Sequence, residues 1–188
     1  LVTTAQGYNV SITGTNNNIA GVTSFLNTGT VTINNASGPS GDTTTFTGGL
    51  VITAPSSIAI QGTVRTTDTT MTLGDANTGV TLSANTTLNA GSGIINLDGV
   101  VSGASLTPIT SSPGSTTISR ANTNTTTNVT TGVVQINNST SQTTNFVVSG
   151  GTLKGTGSIG NLTATGNGVI APGNSPGKVT TTNLSLSS

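Results

Sequence analysis

Lys178 follows Gly177 in the stretch VIAPGNSPGK (169–178), a Gly-Lys pair of the kind that ends a phosphate-binding loop. That chemistry needs G-x-x-x-x-G-K-[ST] running into a helix, so that backbone N–H groups cradle phosphate and a hydroxyl holds Mg²⁺. Here three residues separate Gly173 from Gly177, Val179 stands where the hydroxyl belongs, and the following VTTTNLSL reads as a strand. Pro172 and Pro176 each preset one backbone angle and the glycines after them relax the next, so the stretch predicts a corner turned twice. Gly155-Thr156-Gly157-Ser158-Ile159-Gly160 is a formal G-x-G-x-x-G. It lacks both the helix and the later acidic residue of a dinucleotide site, so its glycines read as turn glycines.

Hydrolytic chemistry fares no better. Asp68 and Asp75, with Arg65 nearby, are the one pair that could bring two carboxylates together on a polysaccharide-acting scaffold, and each reads more simply as a turn residue. The chain has no His and no Cys, so its serines lack their usual base, a Ser-Lys pair with Lys154 or Lys178 is unsupported, and thiolate metal sites and disulfides are excluded. The Ca²⁺-binding pattern G-G-x-G-x-D does not occur. No catalytic, cofactor-binding or metal-ligating residue is assigned, and the expectation is a protein that is not an enzyme and carries no cofactor.

The composition points the same way. Thr, Ser, Asn and Gly make up about three-fifths of the 188 residues, and Glu is absent. The charged set is Arg65, Arg120, Lys154, Lys178, Asp42, Asp68, Asp75 and Asp98, which sums to zero. With no basic surface and only Tyr8, Phe25, Phe46 and Phe146 as aromatics, nucleic-acid binding has neither its electrostatic term nor its stacking platforms. No apolar run approaches 18 residues, so no membrane insertion by this segment is expected. The chain starts at Leu1 with no basic and then apolar leader within it, so a signal peptide, if there was one, is not in it, and the chain reads as a piece of something longer.

What positions such residues must be β-structure. Short runs alternate apolar and polar residues at 9–13, 30–34, 57–61, 70–73, 79–83 and 95–98, and Gly, Asn, Asp and Ser punctuate them. No 3.6-residue period with helix caps is present. So few aliphatics argue for disorder on composition, yet their regular spacing argues against it. Apolar burial alone does not offset chain entropy here, so order must draw on backbone ladders and stacked polar side chains. Inward candidates are Ile58/Ile60, Val64, Met71/Leu73, Val80/Leu82, Leu88, Ile95/Leu97 and Val101. Their steps of about four to seven residues are shorter than the spacing of hairpin-linked sandwich strands. The spacing predicts an all-β, single-stranded parallel β-helix with three short strands per coil and about 20 residues per coil. That gives roughly nine coils and a rod of about 40–45 Å, with a β-sandwich as the alternative.

Residues 150–186, GGTLKGTGSIGNLTATGNGVIAPGNSPGKVTTTNLSL, resemble the β-strand repeat of bacterial autotransporter (type V secretion) passenger domains. The Gly-Gly-Thr-Leu opening at Gly150, the turn at Gly155, Thr156 and Gly157, Gly160, and the Ala171 to Gly177 stretch all match that pattern. Residues 116–139 resemble the preceding half of the repeat, with Arg120 where a Gly is usual and Asn124 where an aromatic is usual. Residues 43–103 resemble haemagglutinin-like repeats more loosely. The resemblance implies one continuous right-handed β-solenoid fragment over 1–188, with haemagglutinin-like coils in 1–115 and an autotransporter-associated repeat in 116–188. It further implies a structural or adhesive surface role outside the cell, a glycan or protein ligand on a host cell or other surface, stacking on adjoining passenger repeats, and help from the C-terminal repeat in secretion. Outer-membrane attachment would come through a C-terminal barrel outside this segment. Threonine triplets at Thr30-Val31-Thr32 and Thr70-Met71-Thr72 raise an ice-binding alternative, but they share no coil spacing, so aligned ranks are not expected.

Overall fold

The computed structural model describes residues 1–34, 41–173 and 177–187, and among them every regular element is a strand. All paired strands are parallel, and partners lie about 21 residues apart, so the chain winds as a β-solenoid of about eight turns. Each turn visits three faces. The first carries Val10–Ile12, Thr30–Ile33, the opening half of Ser57–Thr66, the opening half of Gly79–Gly91, and Val101–Gly103. The second runs from Asn16–Ile19 and Thr43–Phe46 through the closing halves of those two long strands to Leu106–Thr110, Thr126–Val129, Asn145–Val148, Leu162–Thr165 and Leu184–Ser187. The third stacks Thr23–Phe25, Leu50–Ile52, Met71–Leu73, Ile95–Leu97, Thr116–Ile118, Val133–Ser141, Thr152–Ile159 and Val169–Pro172.

The three-strand coil expected from spacing is therefore present, in about eight turns where nine were expected. The difference comes from uneven coils: Val31 pairs with Ile58 across a long coil that includes 35–40, outside the described residues, whereas Phe146 pairs with Leu162 across a short one. Pairing crosses 115/116 without interruption, because Ile95–Leu97 pairs with Thr116–Ile118 and Leu106 with Thr127.

Why these residues make these strands follows from the alternation. Every inward candidate named above is buried, at 2% exposure or less. Successive coils stack like on like: Val31, Ile58, Val80 and Val101 form one aliphatic column, and Phe25, Ile52, Leu73, Leu97, Ile118 and Ile136 another. Phe25 and Phe46 meet edge to face at 6.4 Å between ring centroids, which adds about 0.5–1.5 kcal/mol beyond area burial. Parallel stacking also pairs each interior coil's amides and carbonyls with the coils on either side, and that satisfies backbone groups in so polar a chain.

Part of the interior was not foreseeable from apolar periodicity. Thr44, Asn27, Asn34, Asn122, Asn124, Thr127, Gln142 and Thr144 point inward and are nearly or fully buried. Most are hydrogen-bonded. Asn124 accepts from the Thr144 hydroxyl at 3.0 Å and donates to the Thr126 carbonyl at 3.0 Å, occupying the interior where the resembled repeat places an aromatic.

Candidate functional site

The structure places Lys178 directly ahead of the strand Val179–Thr181, with no helix behind it. Gly173 and Gly177 lie so close that a side chain on either would collide with the other's backbone, and the Gly173 amide donates to the Gly155 carbonyl at 2.7 Å. Of the double corner expected here, 174–176 lie outside the described residues. Gly155 and Gly157 fall on the strand Thr152–Ile159 and Gly160 on the corner that follows it, and Gly155 and Gly160 pack against the neighbouring coil's carbonyls.

Asp68 and Asp75 do not meet. They flank the strand Met71–Leu73 at its two ends, and Arg65 points outward and exposed from the second face. Each carboxylate fastens a turn. One oxygen of Asp68, a residue at φ 55°, accepts the Ser92 amide at 2.8 Å and the Ser92 hydroxyl at 3.1 Å from the next coil. An oxygen of Asp75 accepts the amides of Asn77 at 2.7 Å and Thr78 at 2.8 Å. The Ser92 amide, then its hydroxyl, hold the Asp68 carboxyl below the usual range. For Asp75 the Asn77 amide acts most, then the Thr78 amide, with a smaller contribution from the Arg120 charge.

The corner beyond the third face also gathers Asp98 and Arg120, which sequence reasoning did not group with Asp75. The Ser119 hydroxyl donates to Asp98 at 2.8 Å, and Arg120 Nε donates to the Asp98 backbone carbonyl at 2.7 Å. Arg120 thus ties two coils where the resembled repeat has a glycine. The spacing of about one coil among residues 75, 98 and 120 was the available signal. No group of three metal-ligating side chains occurs among the described residues. The cleft lined by Ala164, Gly166, Gly168 and Leu186 offers no titratable side chain. The corner column closes turns.

A pH prediction follows. A carboxyl whose pKa is lower folded than unfolded (about 3.9 for Asp) stabilises the fold above that value, and the contribution disappears as pH falls through the folded value. The thermal midpoint should hold steady from about pH 7 to 5 and fall below about pH 4. In the double variant Asp68→Asn/Asp75→Asn the acid-side fall should be shallower; a midpoint that rises on acidification would refute the assignment.

The second face is the broadest ordered surface. Thr43, Thr63, Thr87 and Thr107 are partners in four consecutive coils, side chains outward, so they form a single rank about 4.8 Å apart. Beside it runs a second rank of Asn18, Thr45, Arg65, Asn89 and Ile109. This corrects the expectation that no threonine rank forms. The triplets first considered do sit on different faces, the first and the third. The rank is built instead from single threonines whose uneven sequence spacing the coil lengths absorb. Arg65 is the only charged side chain in these two ranks. The two ranks are otherwise neutral and rich in hydroxyl and amide groups.

Fold and surface together define the class: a parallel β-solenoid with a narrow mixed core and flat polar faces. Compared with protein-family models, curated proteins and solved structures, the chain matches none.

Proposed function

We propose that the chain is a structural and adhesive segment of a surface-exposed bacterial passenger of the autotransporter kind, with residues 116–188 aiding secretion and folding. The observation that carries this reading is the 150–186 stretch. Its Gly-Gly-Thr-Leu opening and glycine corners resemble the passenger repeat, and they lie in coils that bond to their neighbours on every face. A solenoid whose backbone is satisfied coil by coil can order progressively, each new coil templated on the last, which suits folding as a chain emerges at a cell surface. The second face then supplies the contact surface. Its hydroxyl and amide ranks, with Arg65 as their single charge, suit a hydroxyl-rich glycan better than a phosphate polymer, which would require several cations.

The test is binding of the purified chain, immobilised on beads, to epithelial cells and to neutral polysaccharides. Thr63→Lys/Thr107→Lys on the second face should weaken binding on the order of tenfold, equivalent to about 1.4 kcal/mol. Thr32→Lys/Thr81→Lys on the first face should not. Absence of binding to either, or equal loss from both pairs, would overturn the adhesive role.

A second reading has one observation in its favour. The four-coil threonine rank is the kind of flat array that could order water into ice. It predicts thermal hysteresis that Thr63→Lys abolishes, and a freezing point equal to that of a buffer-matched control would remove it.

A further inference from the structure

The inward column that begins on the first face breaks its own pattern. Val80 and Val101 are partners in adjacent coils, and the Thr123 amide bonded to the Val101 carbonyl sets Asn122 in the next coil. The Thr143 amide bonded to the Asn122 carbonyl sets Gln142 above it, and the Gln142 amide bonded to the Ser158 carbonyl brings Ile159 above that. All five are buried, at 1%, 0%, 0%, 2% and 3% exposure in that order. Three are aliphatic; the middle two are amides.

Asn122 is half satisfied. Its Oδ1 accepts the Val101 amide at 3.0 Å, while its Nδ2 has no partner. Gln142 is not satisfied at all, because both Nε2 and Oε1 lack partners within hydrogen-bonding reach. Burying an amide without a bond costs about 1–3 kcal/mol per group. A direct Asn122–Gln142 bond would satisfy Nδ2 and Oε1 and still strand the Gln142 Nε2 donor. Water resolves what side-chain rotation cannot. It accepts from either Nδ2 or Nε2 and donates to Oε1, and buried waters occupy sites that offer two to four such partners.

We infer that Asn122 and Gln142 form an internal water site, holding about one or two molecules within the solenoid core. The amides are the site's walls, and Val101 and Ile159 are its floor and ceiling. The ligand class is water, since nothing charged lines the column and the coil spacing of about 4.8 Å leaves no room for an organic group.

Water-¹⁷O magnetic relaxation dispersion on the whole chain tests this. The native protein should show a dispersion step from long-lived internal water, and Gln142→Met, which replaces the wholly unpaired amide with an apolar side chain of similar length, should lose that step while keeping or raising the thermal midpoint. A step of the same amplitude in Gln142→Met would overturn the site. A high-resolution density map is the second arm and needs no variant. Solvent density within hydrogen-bonding distance of Asn122 Nδ2 and Gln142 Oε1 supports the site, and amides in direct contact with no solvent between them refute it.

Discussion

Gly155→Ala should unfold the C-terminal coils, lowering stability by about 3–5 kcal/mol, among the larger effects a single substitution produces. Gly155 sits at φ 111°, outside the range an L side chain adopts, and that alone costs about 1–3 kcal/mol. A methyl group there would also lie well inside van der Waals contact of the Ile136 carbonyl oxygen in the coil below. Ile136 is the register partner of Gly155, and on the other side Gly155 pairs with Pro172, so relief of the clash requires separating coils on both sides. Gly21→Ala isolates the conformational part. Gly21 has φ 75° and open space where its Cβ would go, so the cost should be about 1–2 kcal/mol. Urea midpoints for the two variants measure the difference. In a stack whose coils contact only their neighbours, hydrogen exchange in Gly155→Ala should accelerate from residue 152 onward and leave coils before residue 110 protected. Equal destabilisation by the two variants would show that backbone strain, not coil-to-coil contact, fixes this glycine.

The parts of this fold legible in the sequence are those that hydrophobic alternation writes down. Ile58/Ile60, Met71/Leu73, Val80/Leu82 and Ile95/Leu97 lie in strands near where their period-2 pattern places them, and all face inward. Their short steps distinguish a coil from a hairpin, because a coil must turn three corners in the length of a sandwich's two strands. The strands Thr43–Phe46 and Thr126–Val129 left no such trace, because their inward side chains include Thr44 and Thr127. Threonine has nearly the same shape as valine and reads as surface in any hydropathy pattern, yet inside these coils the Thr44 hydroxyl donates to Asn34 Oδ1 and the Thr127 hydroxyl accepts from Asn124 Nδ2. The candidate surface was hidden for a related reason. A rank on a solenoid face is defined by register, and register depends on coil length, which changes from the coil after Val31 to the coil after Phe146. Sequence spacing alone cannot align Thr43, Thr63, Thr87 and Thr107. The glycine corners around 155–160 were the opposite case: the residue types exclude a nucleotide site without any coordinates, and packing supplies the reason the glycines are there.

Polar residues inside so thin a core carry stability as well as permitting it, and Asn34 is where that can be measured. Its side chain is buried at 2% exposure and its backbone sits at φ 59°, a conformation Asn tolerates better than most residues. Nδ2 donates to the carbonyls of Asp42 at 3.2 Å, Gln61 at 2.9 Å and Thr63 at 3.0 Å, while Oδ1 accepts the Thr44 hydroxyl at 2.6 Å. Asn17 of the preceding coil donates to that same hydroxyl at 3.0 Å, so Asn34 and Thr44 together link groups from three successive coils. It also stands at the corner where the strand Ser57–Thr66 bends from the first face to the second, with a register shift between Ile60 and Gly62. Asn34→Ala should therefore cost about 3–5 kcal/mol: the φ strain of a β-carbon residue plus buried carbonyls and a hydroxyl left without partners. Asn34→Gly keeps the lost bonds and removes the strain, so it should recover about 1–2 kcal/mol of that cost. Asn34→Asp keeps the acceptor for Thr44 and loses the donors to three carbonyls; it should be at least as damaging as alanine, because it buries a charge facing carbonyl oxygens. Chemical unfolding of the three variants orders them Gly, Ala, Asp from mildest to worst. If alanine and glycine fall together within about 0.5 kcal/mol of the native chain, the interior polar network is passive and the aliphatic columns alone hold the coils.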